Sequence, residues 1–212
     1  MKKFILSFLL SLTVAISFAQ SQDVLKFLGI PVDGSKEKMI TELKKKGFKY
    51  NEDYGALTGE FNGKKVNVFI STYHDKVDRV FVADENTVDV AAIKIAYNNL
   101  LRQFEKNEKY FCLEDYTISS EENISYEMTV NHKRYDATFF LKPNISDEFR
   151  EQVEAIDTTD TDKALKQFFS KVDEMMKMVT GQVWFTIFEH YGQYYLGIYY
   201  DNLLNRPNGD EL

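Results

Sequence analysis

The sequence is poor in the residues that cross-link or interrupt a chain. It has one cysteine, three prolines and ten glycines among 212 residues. A single cysteine cannot form a disulfide within the chain, so the fold must depend on a hydrophobic core. The low glycine and proline contents exclude a collagen-like protein. With 44% hydrophobic and 28% charged residues, the composition is typical of a globular protein.

Long apolar runs are also missing, except at the N-terminus. Lys2 and Lys3 precede residues 4–18, which carry no charge and are mostly apolar. This run is shorter than the ~20 residues of a membrane-spanning helix, and it ends at the small residue Ala19, so residues 1–19 predict a secretory signal peptide. No cysteine follows to carry a lipid. We therefore expect an exported protein, periplasmic or extracellular, with no stable membrane insertion after signal removal.

Basic residues are the minority among the charged ones. Removal of the signal would leave 24 basic and 33 acidic side chains, a net charge of -9. Proteins that bind nucleic acids usually present an excess of positive charge, so no nucleic-acid partner is expected.

No motif specifies a catalytic site, a metal site or a cofactor. His74, His132 and His190 lie at or beside predicted turns, but no H-E-x-x-H motif or close histidine pair accompanies them. Cys112 lies in an apolar context that favours a buried, inert thiol. Glu189 and His190 are neighbours on a predicted strand, so their side chains point to opposite faces. We predict no catalytic residue, no metal ligand and no cofactor.

The first part of the chain predicts a helix followed by antiparallel strands. Ser35 is a typical N-cap before an apolar stripe at helical spacing, so residues 35–46 predict a short amphipathic helix. Asn62-Gly63 lies between two alternating runs and predicts a hairpin turn. The strands predicted by alternation are 57–61, 65–72 and 77–83.

The rest of the chain predicts a second, longer unit. One helix is predicted to begin at the N-cap Thr87, and another follows an apolar stripe between residues 165 and 179. Between them, Asn131-His132 predicts a second hairpin turn. The strands predicted in this unit are 125–130, 134–141, 183–190 and 194–201.

Together these elements predict an α+β fold. Residues 61–67 match residues 130–136 in pattern, which indicates a weak internal duplication. We expect a single domain over residues 20–212, made of two similar helix-plus-antiparallel-strand units at about 24–86 and 87–204. Their strands would form one sheet, with about three helices packed on one side.

Aromatic residues are concentrated in the last two predicted strands. Because successive residues of a strand point to opposite faces, Trp184 and Phe185 cannot both enter one core face. Some of these rings must be exposed or lie under a second covering element. Exposed tyrosine and tryptophan rings suit the binding of a protein or a glycan. We predict Trp184, Tyr195 and Tyr199 as ligand-binding residues.

Three short segments carry a family resemblance. They are residues 27–34 (FLGIPVDG), 126–131 (YEMTVN) and 199–202 (YYDN) with Asn205 and Arg206. Together they resemble uncharacterised exported proteins of Bacteroidetes over most of the chain that follows the signal, and this resemblance implies no activity. In architecture alone, the order of elements is also similar to that of beta-lactamase inhibitor protein.

The sequence therefore predicts an exported binding protein without enzymatic activity, which holds a protein or glycan on an aromatic sheet face. Two alternatives remain open. One is a hydrolase that acts on envelope or dietary polymers through carboxylates that the sequence does not identify. The other is a structural subunit of an envelope complex.

Overall fold

A computed structural model describes residues 24–206 of the chain. The predicted signal peptide lies outside these residues. The described chain has two compact units. We call residues 24–141 with 180–206 the sheet unit, and Lys142–Val179 the helical unit.

The fold is α+β, as the sequence predicts. Residues 24–206 contain five helices: α1 (Lys36–Lys45), α2 (Val90–Glu105), α3 (Ile124–Val130), α4 (Asp147–Glu154) and α5 (Thr161–Lys177). The same residues contain ten strands: β1 (Lys26–Phe27), β2 (Ile30–Pro31), β3 (Lys49–Asn51), β4 (Ala56–Phe61), β5 (Lys64–Tyr73), β6 (Lys76–Asp84), β7 (Tyr110–Phe111), β8 (Asp136–Leu141), β9 (Gly181–His190) and β10 (Gln193–Asn202). Across this described range, every helix is too short or too polar to cross a membrane.

Eight of the strands form one antiparallel sheet. Their order is β3-β4-β5-β6-β10-β9-β8-β7, and β1 pairs with β2 separately. The hairpin formed by β9 and β10 therefore lies inside the sheet, between β6 and β8. Both aromatic-rich strands consequently have a hydrogen-bonded neighbour on each side.

Two-residue turns set the register of three hairpins in this sheet. Both central residues of each turn have positive φ, which gives the twist that connects neighbouring antiparallel strands. The sequence predicts the Asn62-Gly63 turn, and its strand bounds also leave a turn at each of the other two places. The three turns are Asn62-Gly63, His74-Asp75 and Tyr191-Gly192.

Side-chain caps determine where α1 and α2 begin. The Ser35 hydroxyl accepts a hydrogen bond from the Lys38 N–H at 3.3 Å, which confirms the predicted start of α1. The predicted Thr87 cap of α2 is wrong, because the cap is Asp89. Val88 is held in an extended bridge by backbone hydrogen bonds with Tyr194, so the helix cannot begin before it.

Helix α2 covers one face of the sheet, which we call the inner face. Tyr97 and Phe104 of α2 contact Phe185 on β9, with ring centroids 5.1 and 5.9 Å apart. Phe104 also stacks on Phe139 of β8 at 5.1 Å. The buried inner-face residues of the four central strands are mostly aliphatic: Val66, Val68, Ile70, Val80, Val82, Val183, Phe185, Ile187, Tyr194, Leu196, Ile198 and Tyr200.

The helical unit consists of α4, α5 and the segments beside them. Ser146 caps α4 and Asp160 caps α5, each through a side-chain oxygen that accepts a backbone N–H. Lys171 of α5 donates a hydrogen bond to Gln152 of α4 at 2.6 Å. The sequence predicts α5 from its apolar stripe, but α4 lies in a segment for which no helix was expected.

One strand prediction is wrong, and the duplication is not confirmed. Residues 125–130 belong to helix α3, whose N-cap Asn123 accepts a hydrogen bond from the Tyr126 N–H at 3.1 Å. This cap stabilises a helical turn locally and overrides the alternating pattern. The second hairpin is therefore absent, and residues 130–136 do not share the structure of residues 61–67. The expected number of about three helices is likewise not confirmed.

Candidate functional site

The face of the sheet opposite α2, which we call the outer face, carries four aromatic residues side by side. They are Trp184 on β9, Tyr199 on β10, Phe81 on β6 and Phe69 on β5, and we call them the aromatic row. Tyr199 is the cross-strand partner of both Trp184 and Phe81, and Phe81 is the partner of Phe69. The aromatic row therefore crosses four adjacent strands at one level.

The rings of the aromatic row stack face to face. The ring centroids of Trp184 and Tyr199 are 3.9 Å apart and their planes differ by 5°. The next two centroid distances are 4.4 Å from Tyr199 to Phe81 and 5.8 Å from Phe81 to Phe69. Cross-strand aromatic pairs of this kind stabilise a sheet. Because neighbouring rings stack on each other's flat faces, the two middle rings of the row, Tyr199 and Phe81, present mainly their edges.

A second stacked pair lies beside the aromatic row. Phe188 and Tyr195 are cross-strand partners with ring centroids 5.1 Å apart, and Phe188 also meets Phe81 edge-on at 6.3 Å. Gly197 lies under these rings. A Cβ atom at position 197 would come within 2.5 Å of Phe188 and 2.8 Å of Phe81. The missing side chain of Gly197 therefore gives the rings room to lie over the backbone.

A buried carboxylate holds one end of the aromatic row. Asp201 has a fully buried side chain and accepts hydrogen bonds from the Arg79 guanidinium at 2.5 and 3.0 Å. It also accepts one from the Trp184 indole N–H at 2.9 Å and one from Gln182 at 3.1 Å. Arg206 donates a further hydrogen bond at 3.1 Å. Asp201 thus fixes the positions of Trp184 and of two arginines at once.

The charges around this carboxylate shift nearby pKa values. Burial alone would raise the pKa of Asp201, but the hydrogen bonds from Arg79, Gln182 and Trp184 outweigh burial and lower it. Burial raises the pKa of the Tyr199 hydroxyl, whereas the positive charges of Arg79 and Arg134 act in the opposite direction. Arg79 also lies over the rings of Trp184 and Tyr199, 5.8 and 5.1 Å from their centroids.

The three residues that the sequence singles out all lie on the outer face. Trp184, Tyr195 and Tyr199 are half-buried. Trp184 and Tyr199 are in direct contact, and Tyr195 lies four residues before Tyr199 on the same strand. Phe185 is fully buried on the inner face, as alternation requires. The role of the three residues in binding remains a prediction.

Sequence reasoning missed the members of the site that lie outside the last hairpin. Phe69 and Phe81 belong to strands with valine on one face, so their opposite orientation could have been read from the alternation. Their closeness to Trp184 in the folded chain could not be read from the sequence, because β6 and β10 are far apart in sequence. The pairing of Arg79 with Asp201 depends on the same long-range register.

Two other residues considered as chemical candidates, Glu189 and Cys112, are explained by their surroundings. Glu189 accepts a hydrogen bond from the Gly192 N–H at 2.5 Å and so holds the turn between β9 and β10. Burial raises the pKa of the half-buried Cys112 thiol, which disfavours the reactive thiolate. Within residues 24–206, no group of three histidine, cysteine or acidic side chains could hold a metal ion.

Comparisons with known proteins find no match to this chain among protein-family models, curated proteins or solved structures. The outer face must therefore be interpreted from its own chemistry.

Proposed function

We propose that this chain is an exported protein, periplasmic or secreted, that binds a partner on its outer sheet face without changing it chemically. The observation that carries this proposal is the aromatic row. Four stacked rings cross the central strands on the face that α2 does not cover, and Phe69 at one end is 39% exposed. Ordered aromatic side chains with partly exposed edges are typical of protein-binding surfaces.

The stacking favours a polypeptide partner over a glycan. A sugar ring binds an aromatic side chain by lying on its flat face. In the aromatic row, Tyr199 has Trp184 on one face and Phe81 on the other, so neither face is free for a sugar. Ring edges are suited to apolar side chains, which a polypeptide supplies. We therefore place a protein segment first, and a glycan becomes an outcome of the test.

The fixed geometry supports binding with little loss of entropy. Trp184 is held by stacking and by its hydrogen bond to Asp201, so its ring does not need to be ordered when a partner arrives. Immobilising a free side chain costs ~0.5–1.5 kcal/mol on association, and a preorganised ring avoids much of this cost.

A library experiment tests the proposal. The chain beginning at residue 20 is immobilised and exposed to random peptides and to an array of glycans. We expect apolar peptides to be retained and to be recovered intact by mass spectrometry. The double variant Tyr195→Ala/Tyr199→Ala should bind at least ~10-fold more weakly, because it removes contact area on the outer face.

The matched control is Tyr54→Ala. Tyr54 is 78% exposed in the loop before β4, so its removal should leave binding unchanged. Equal retention by the double variant and the wild type would overturn the proposal, provided that both have the same circular dichroism. Retention of glycans alone would overturn the preference for a polypeptide.

Export is tested separately by the mass of the protein recovered from expressing cells. Cleavage after Ala19 should give a chain that begins at Gln20. An uncleaved chain that stays inside the cells would contradict the exported location.

A further inference from the structure

We call Asp201 and the side chains that bind it, Arg79, Gln182, Trp184 and Arg206, the Asp201 cluster. Among residues 24–206, its two arginines keep unused hydrogen-bond donors beside the aromatic row. A guanidinium has five N–H donors in a fixed fork. Arg79 uses Nε and Nη2 to bind Asp201, and Arg206 uses Nη1. The two arginine side chains are 28% and 34% exposed, whereas Asp201 is fully buried. The partly exposed charged groups of the cluster are therefore both cationic.

The exposed charge of this cluster is positive although the chain as a whole is acidic. The carboxylates of Asp201 and Asp78 both act on Arg79 electrostatically, but both residues are buried. Arg134 is paired with Asp136 at 3.1 Å and adds no net charge of its own. Across the described part of the chain, the partly exposed charges of the cluster are therefore the two guanidiniums, in a chain whose net charge is -7. Partly exposed guanidiniums next to apolar rings are complementary to an anion that carries an apolar group.

We propose that Arg206 and Arg79 bind the carboxylate of a ligand whose apolar or aromatic group packs against Trp184 and Tyr199. This inference rests on the proposed function and specifies the chemistry of the partner. Arg79 lies over the rings of both Trp184 and Tyr199, so a ligand that reaches the arginines also reaches the aromatic row. The ligand carboxylate can come from the C-terminus of a polypeptide or from a free aromatic acid.

A pair of probes isolates the carboxylate. The first probe is the peptide acetyl-Phe-Val-Phe with a free C-terminal carboxylate, and the second is the same peptide with a C-terminal amide. Neither contains tryptophan, so binding is followed through the emission of Trp184, the chain's single tryptophan. We expect the acid to bind about 10-fold to 100-fold more tightly than the amide, as a charge-assisted hydrogen bond would give.

Two variants assign this difference to Arg206. For the variant Arg206→Gln, the acid peptide should no longer bind more tightly than the amide peptide. The substitution removes both the paired N–H donors and the positive charge of the guanidinium. Arg206→Lys should restore part of the advantage, since it keeps the charge alone. The control is Arg102→Gln, because Arg102 is an exposed arginine of α2 that binds Asn99. Its acid and amide affinities should match those of the wild type.

A further probe identifies the source of the carboxylate. If 3-phenylpropionate binds as tightly as the peptide acid, the ligand is a free aromatic acid. If the peptide acid binds more tightly, the ligand is a polypeptide C-terminus. Raising the salt concentration should weaken the binding of the acid peptide and leave the binding of the amide peptide unchanged. This measurement needs no variant.

Two outcomes would overturn the inference. If acid and amide bind equally, the carboxylate has no role, while the aromatic row still binds a partner as proposed. If no probe binds, carboxylate recognition is also rejected, and the peptide library then decides separately whether the outer face binds at all.

Discussion

The two faces of the sheet can be compared on the same four strands. Phe185, Ile198, Val82 and Val68 form a row on the inner face, one residue along each strand from Trp184, Tyr199, Phe81 and Phe69. The inner row is fully buried, with at most 6% of any residue exposed. Members of the aromatic row are half-buried or, at Phe69, 39% exposed. The two rows share the same strands, backbone geometry and strand partners. They differ only in their side chains and in what covers those side chains.

We expect this difference to separate the residues that stabilise the fold from those that bind a partner. The inner row removes aliphatic groups from water, and burial of this kind is the main stabilising contribution to a folded chain. The aromatic row keeps large apolar groups partly in water, although rings of that size could have been buried. Substitutions in the inner row should therefore act mainly on the free energy of unfolding, and those in the aromatic row mainly on binding.

The largest effect is expected at Phe185. Its ring contacts Tyr97, Phe104 and Phe139, and none of it is exposed. Phe185→Ala should lower the free energy of unfolding by ~3–5 kcal/mol, because it leaves a cavity under α2. Urea unfolding followed by circular dichroism measures this loss. A change smaller than that of Phe69→Ala would contradict the assignment of the two faces.

The second effect concerns Asp201, the one fully buried charge at the aromatic row. Asp201→Asn removes the charge that Arg79 and Arg206 share and should cost ~2–3 kcal/mol at neutral pH. The pKa of Asp201 is lowered in the folded chain, so its contribution to stability is present above the unfolded-state pKa of ~3.9. This contribution is lost as pH falls from there through the folded-state pKa.

Unfolding at two pH values measures this linkage. The difference in unfolding free energy between the wild type and Asp201→Asn should shrink when the pH is lowered from 7 to ~3. A difference that stays constant would mean that the ionised carboxylate is not what stabilises the cluster. Asp136→Asn is the control, since Asp136 is half-buried and has a single, largely exposed arginine partner.

Local patterns were enough to predict the strands that carry this comparison. The Asn62-Gly63 turn, the Ser35 cap and the alternation of β5, β6, β9 and β10 all follow from neighbouring residues. Alternation also placed Trp184 and Phe185 on opposite faces. The failures have local causes too: Asn123 caps a helix where alternation predicts a strand, and the backbone bridge at Val88 moves the start of α2.

The aromatic row itself was only half predictable. Trp184 and Tyr199 belong to one hairpin, whose register follows from its turn. Phe81 and Phe69 join them because β6 pairs with β10, and this pairing is decided by the packing of the whole sheet. The hydrogen bonds between Arg79 and Asp201 depend on the same pairing. A site assembled from strands that are distant in sequence gives no signal in any short segment.

The third effect tests how the rings on the outer face are packed. Gly197→Ala should lower the free energy of unfolding by ~1–2 kcal/mol, because the added methyl group meets the rings of Phe188 and Phe81. The double variant Gly197→Ala/Phe188→Leu should recover part of this loss, since the smaller side chain can move aside. Thermal unfolding compares the three chains. Equal stability of wild type and Gly197→Ala would show that the rings do not rest on this glycine.

The smallest effect on stability is expected at Phe69. It gives the sharpest comparison of the two faces when threonine is placed both there and at the neighbouring position, Val68. Val68→Thr buries a hydroxyl group on the inner face and should cost ~1–3 kcal/mol, although it barely changes volume. Phe69→Thr removes a whole ring from the outer face and should cost less than ~1 kcal/mol, because Phe69 stacks on Phe81 alone and is 39% exposed. Threonine suits a strand at either position, so backbone preference does not explain the difference. Binding of the selected peptides should show the reverse order, with Phe69→Thr the weaker binder. If both measurements rank the variants in the same order, stability and recognition are not divided between the two faces.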